Sequence, residues 1–393
     1  MRSPDTPARN LSLAPSDSVS TPPVEPAVVV VGAGLSGLVA ACLLEDAGLD
    51  VLLVEARERV GGRILGLAAP SGPNAPAAGH RFDLGPAWLW PTLNERLAHW
   101  LQKLDLPLFA QHDQGAVLVE SPTRELRRYA SGLAQQPISM RVVGGTDRLP
   151  EVLRARLRRT RVMTGTRVTG LSAGPQGRVQ LALETGGELA VVAARSVVLA
   201  LPPRVLASAL RWEPALPLGL MRSWAAAPTW MAGQAKLVAV YRTAFWRARG
   251  LSGTALSQAG PLVEVHDASD ATGQQAALFG FVGVARTGRE HMGAPALIDA
   301  ALSQLARLFG PDAAAPEQVW LQDWAGEPET ATPDDRRSAD HPVPIATTLP
   351  PPWLDRLHLA GTEFAPSLPG YLEGAVVAAE RSVSELLQGL ARR

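Results

Sequence analysis

Of the chain's 393 residues only one is a cysteine, Cys42, and only two are lysines, Lys103 and Lys236. A single cysteine closes no internal disulfide, and neither CxxC nor HExxH spacing occurs. No metal is expected, and redox chemistry has to come from a bound cofactor. Net charge is missing too: 37 basic residues balance 37 acidic ones. That balance supplies no field to steer the chain toward nucleic acid or an anionic membrane. The apolar run that comes nearest to the ~20 residues of a membrane span covers residues 27–44, and three glycines at tight-turn spacing cut it into a strand and a helix. Residues 1–26 are rich in Ser, Pro, Thr and Asp and lack an apolar secretory core, so they read as a disordered tail. The polar end GLARR offers no tail anchor, and a cytoplasmic location is the expectation.

What is present is ordinary globular material: 46% hydrophobic and 19% charged residues, with length enough for two lobes. Within it, AVVVVGAGLSGLVAACLLEDAGLDVLLVEA reads as buried strand, glycine turn, apolar helix and second buried strand ending in an acid. In such a βαβ unit Gly32 permits the sharp turn, Gly34 lets backbone approach a pyrophosphate, and Gly37 lets the helix pack close to the strand. Leu35 and Ser36 open the helix, whose free amides and dipole favour phosphate. Glu55 is placed to accept hydrogen bonds from an adenosine ribose, and an acid there argues against a 2′-phosphate. The motif by itself does not separate FAD from NAD.

Directly after Glu55, Ala56 and Arg57 lead into RERVGGRI, with no room for a helix. Gly61 and Gly62 permit a second close approach to phosphate, while Arg57 and Arg63 supply bidentate donors; a solvated basic turn is the competing reading. Near the other end, a short strand over 357–360 runs into a Gly361-Thr362-Glu363 turn. Gly370 and Gly374 then open a helix that extends to Leu387, with Ala375, Ala378, Ala379, Val383 and Leu386 on one side. Tyr371 and Leu372 stand at its start, where a long cofactor would place its isoalloxazine end.

With EAR, GGR, GTE and GYLEGA in this order, the chain resembles the flavin-containing amine oxidase family over nearly all of residues 27–390. RFDLGPAWLW, VVGGTDRLPEVL, VVLALPPRVL, PTWMAGQAKLVAVYRTAFWR and DWAGEP add to the likeness. The resemblance implies an α/β fold, with a discontinuous Rossmann-like FAD-binding domain (27–75, 140–212 and 324–393) and an α+β substrate domain (76–139 and 213–323). The stretches AKLVAVYRTAFW and ALFGFVGVA read as strands of a half-covered sheet, and residues 297–310 as a helix. Val168 joins the expected cofactor contacts, and Glu363 is expected to bond ribityl hydroxyls.

The activity implied is oxidation of a small-molecule amine: a hydride equivalent passes from the carbon alpha to nitrogen to flavin N5, leaving an imine, with oxygen the expected acceptor. The likeness gives Lys236 the task of holding a water at flavin N5, Tyr371 one wall of an aromatic sandwich around the amine, and Trp324 a place against the flavin. A lysine in an apolar strand is expected to have a depressed pKa, unless it sits at an edge and faces solvent. Trp88 and Trp90 either line the substrate cavity or fill the core, with core packing favoured. The chain departs from the family at ETATPDDRR, residues 329–337, which holds neither the flavin-linking cysteine nor the second sandwich aromatic that many members carry. FAD is therefore expected to be non-covalent, with the amine pocket half open or built from another aromatic. Two further readings share the cofactor motifs: a desaturase or porphyrinogen-oxidase-like enzyme acting on C–C bonds, and a flavin-binding protein without turnover.

Overall fold

The computed structural model describes residues 26–68, 81–130, 136–336, 341–343 and 345–392; the tail expectation falls on residues almost wholly outside these. Five parallel strands form the sheet that carries the glycine motifs, in the order Leu357–Leu359, Ser196–Leu199, Val28–Val31, Val51–Val54, Arg161–Met163. Their β-branched runs are buried on both faces, which is what helix-covered parallel strands require. Val28, Val30 and Leu53 point to the helices Leu35–Asp46 and Leu372–Ala391. Val29, Val31 and Leu52 point to a second, four-stranded sheet through Leu181 and Leu183. The run at 27–44 is thus a strand and a helix, and no helix among the described residues is long and apolar enough to cross a membrane. The last helix buries the five side chains expected of it and continues past Leu387 to Ala391.

The other lobe is built on a seven-stranded mixed sheet, ordered Gln318–Asp323, Ala235–Tyr241, Ala276–Val282, Leu262–Asp267, Leu251–Ser257, Ala116–Glu120, Leu126–Tyr129. Here one expectation needs correction for the sheet's centre: every residue of Ala235–Tyr241 is buried, so that strand is covered on both faces, while the edge strand Leu126–Tyr129 is exposed. Leu237, Ala239 and Tyr241 pack under the helix Ala294–Phe309, while Val238 and Val240 pack with Phe82, Leu84 and Phe279 toward the cofactor-motif lobe. Alternation along a strand puts Lys236 on this second face. The strand is paired on both sides, so Lys236 does not lie at an edge. The stretch read as a continuing strand at its end turns instead into a short helix, Phe245–Ala248.

Candidate active site

The glycine segments from both ends of the chain line one cavity of about 420 Å³. At one end Gly32, Gly34, Leu35, Ser36, Glu55 and Ala56 meet Arg57, Gly62 and Arg63. Gly37 does not line it: a Cβ there would lie 1.8 Å from the Gly32 carbonyl oxygen, so its task is the close packing of helix on strand. Gly34 and Gly61 form a backbone bridge, which brings the two glycine turns side by side. Glu55 accepts hydrogen bonds from the amides of Ala33 at 2.7 Å and Arg57 at 2.9 Å. Arg57 donates to Glu327 and Thr330, and Val168 adds an apolar contact. A narrow backbone cradle at a helix N-terminus, an acid at the end of the second strand and two arginines beside it fit an adenine dinucleotide.

At the far end Gly361, Thr362, Gly370, Tyr371 and Leu372 complete the wall. Thr362 Oγ1 donates to the Tyr371 carbonyl and accepts from the Gly370 amide, fixing the start of the last helix. Glu363 does not reach the cavity. It is fully buried, and both its oxygens accept from Arg63, at 2.7 and 3.2 Å, so the structure does not place it for ribityl hydroxyls.

Lys236 lies in the wall, 3% exposed, with Nζ donating to the Gly85 carbonyl at 3.0 Å. Phe281, its cross-strand neighbour, and Phe279 present rings 5.9 and 4.1 Å from Nζ. Burial pushes the lysine's pKa down, and the Asp83 carboxylate opposes that shift. Trp324 is buried against the same turn, its indole N–H donating to the Leu84 carbonyl at 3.0 Å. Trp88 and Trp90 both line the cavity, Trp88 also packing on the Phe82, Leu84 and Phe279 core, and their indole nitrogens are satisfied by Gln111 and Ser139.

Sequence reading had no partner for Tyr371. In the ETATPDDRR stretch, described to Arg336, Glu329 pairs with Arg167 and Thr330 with Arg57. Instead Trp230 stands 5.9 Å from Tyr371, ring centre to ring centre, and His341 stacks on Trp230 at 3.5 Å. Trp230 lies within PTWMAGQAK, six residues before Lys236, but no periodicity indicates that it meets Tyr371. Phe279 and Phe281 were equally hidden, since only strand pairing brings them to Lys236.

A family model for flavin containing amine oxidoreductase matches residues 131–387, and one for an NAD(P)-binding Rossmann-like domain matches 30–104. AofH of Mycobacterium tuberculosis, which carries the name of a flavin-containing monoamine oxidase, is 27% identical over 94% of this chain and 98% of its own. Cyclohexylamine oxidase from Brevibacterium oxydans superposes with a TM-score of 0.75 at 21% identity, covering 94% of this chain and all of that one. The carotenoid 3,4-desaturase of Haloarcula japonica matches over only 77 residues, 19% of this chain, at 46% identity. With the amine oxidoreductase match covering well over half its length on a Rossmann-like scaffold, the chain belongs to the flavin containing amine oxidoreductase family and is an oxidoreductase of that kind.

Proposed function

We propose that this protein oxidises an apolar primary or secondary monoamine to its imine, using non-covalently held FAD with oxygen as the acceptor. The observation that carries the reading is the far end of the cavity, where Lys236, Tyr371, Trp230, Trp88, Phe279 and Phe281 surround one space. Bound FAD supplies the acceptor for the hydrogen and electron pair leaving the carbon alpha to nitrogen. Everything else falls to the chain. Gly32, Gly34, Leu35, Ser36, Glu55, Ala56, Arg57, Gly62, Arg63 and Val168 hold the dinucleotide end. Gly361, Thr362, Gly370 and Leu372 hold the ring end, with Trp324 beside it.

Tyr371 and Trp230, both in the wall with ring centres 5.9 Å apart, are the aromatic surfaces that would orient an amine nitrogen and exclude water. Lys236, fixed by Gly85, holds a water where the ring edge would lie. The carboxylates in the wall are already engaged: Glu55 by backbone amides, Glu329 by Arg167, and Glu373 by the amides of Arg96 and Leu97. The wall's arginines Arg57, Arg63 and Arg167 face glutamates. No free carboxylate among these described residues meets a second ammonium, which favours monoamines over diamines. The sole cysteine, Cys42, is buried in the first helix outside the cavity wall, in keeping with a non-covalent flavin.

The test is anaerobic titration of the purified protein with benzylamine, cyclohexylamine, putrescine and L-phenylalanine, following the flavin absorbance band, after heat release of the flavin. Bleaching by benzylamine and cyclohexylamine and not by putrescine is expected, while bleaching by L-phenylalanine would give Lys236 a substrate carboxylate as partner. A bound flavin that none of them reduces removes this reading and leaves C–C desaturation or binding without turnover.

A further inference from the structure

The segment Asp83-Leu84-Gly85 joins parts of the site that are far apart in sequence. The Gly85 carbonyl holds Lys236 Nζ, and the Leu84 carbonyl holds the Trp324 indole. Gly85 also lies so close to the GGR turn that a Cβ on it would stand 2.1 Å from the Arg63 carbonyl oxygen. Asp83 anchors the segment from behind: it is 5% exposed, and Oδ1 accepts the Thr146 amide at 2.7 Å. Its other oxygen, Oδ2, is buried with no hydrogen-bond partner among the described residues. A carboxylate left half satisfied in the interior is costly unless a cation is near. Burial raises its pKa, Arg141 and then Lys236 work to lower it, and Asp147 adds to the rise. Arg141 is itself committed to the carbonyls of Ser269 and Ala268, and Asp147 to Arg81.

We propose that Asp83 is a positioning residue acting through Lys236, a buried counter-charge that favours the lysine's ammonium form while its own turn holds Nζ in place. The rest of the lysine's surroundings favour the neutral form or are uncharged. Burial and the Arg141 guanidinium both work against the ammonium, and Asp83 is the acid that works for it. The faces of Phe279 and Phe281, 4.1 and 5.9 Å from Nζ, add a weaker attraction for the cation. Burial pushes the Asp83 carboxyl up and the Lys236 ammonium down. The catalytic meaning rests on the amine-oxidation reading above; the coupling of the two charges does not.

Because the chain contains only two lysines, the test needs no turnover. Holoprotein grown with lysine carrying 13C at Cε gives two signals, and Lys236→Met identifies the second by its loss. The Lys236 signal is followed against pH in wild type, Asp83→Asn and Asp83→Glu. Removing the carboxylate is expected to lower the Lys236 midpoint by about one pH unit or more, and Asp83→Glu to restore most of it. An unchanged midpoint in Asp83→Asn that still holds FAD overturns the proposal. The unaltered protein carries an independent check should Asp83→Asn not fold. Its Lys236 signal should show a second, smaller inflection at lower pH as Asp83 takes up a proton, and a single inflection overturns the proposal as well. If the shift appears but no amine bleaches the flavin, the charge coupling stands and the amine reading fails.

Discussion

The two ends of the cavity are built from different materials. At the dinucleotide end the contacts come from backbone: glycine turns that touch each other, a helix N-terminus, and Glu55 bonded to two amides. The charged side chains there are matched in pairs, Arg57 with Glu327 and Arg63 with Glu363. At the amine end the wall is side chain: aromatic rings on strands and loops around one buried lysine, with Asp83 behind it only half satisfied. A backbone cradle tolerates almost no added atom but presents the same amides whatever its neighbours are. A side-chain wall can be recut one residue at a time, so cofactor identity and substrate choice are separable in this molecule.

Breaking the backbone end has the largest expected effect. Gly37→Ala sets a methyl 1.8 Å from the Gly32 carbonyl oxygen, where helix and strand both have to move. A loss of about 3 kcal/mol in stability is expected together with loss of bound FAD, since the displaced strand carries the phosphate turn. Thermal unfolding and the flavin absorbance of the purified variant check both. A variant that melts like wild type with full flavin content would mean the helix packs less tightly than the distances indicate.

At the amine end the expected losses are in rate, with the cofactor retained. Lys236→Met keeps the apolar stem and removes the charge, and it should slow flavin reduction or reoxidation by on the order of 10² while FAD stays bound. Stopped-flow traces of both half-reactions separate the two, and unchanged rates in both take Lys236 out of the mechanism. Trp230→Ala removes the ring facing Tyr371 and the one His341 stacks on. About a tenfold rise in KM for benzylamine, near 1.4 kcal/mol, is expected, with kcat changing less. A fall in kcat alone would make Trp230 a support for the cofactor ring, not a substrate wall.

The same contrast explains what could be read in advance. The strand Val28–Val31, the helix Leu35–Asp46 and Glu55 were legible because local backbone geometry demands glycine and β-branched residues at short, fixed spacing. Lys236 stood out by rarity in an apolar strand, but its direction depended on which face the cofactor-motif lobe covers, and its strand, read as half covered, is covered on both sides. Trp230 and His341 lie 111 residues apart (341 minus 230), and Phe281 reaches Lys236 only through strand register. Such meetings are tertiary events that no local pattern records. Glu363 shows the converse: its place in the GTE turn was plain, but its partner Arg63 was not, and the pairing turned it away from the cavity.

The smallest effect is predicted at the back of the backbone end, where a single carboxylate ties the first helix down. Glu45, 9% exposed near the helix C-terminus, accepts from the Thr160 hydroxyl and from the amides of Arg158, Arg159 and Thr160. Burial alone would raise its pKa, but these donors together overcome it and hold the carboxyl down at about 2. A group depressed in the folded state stabilises in full above its unfolded value, near 4.5, and loses that contribution as pH falls toward 2. Glu45→Gln should therefore cost about 1 kcal/mol at pH 7, after allowance for solvent screening, with FAD still bound. The gap in melting temperature to wild type should stay constant from pH 7 to about 5 and close below that. A gap that instead persists unchanged down to pH 2 would make the loss one of shape rather than charge, and would put the firmness of this end in its packing alone.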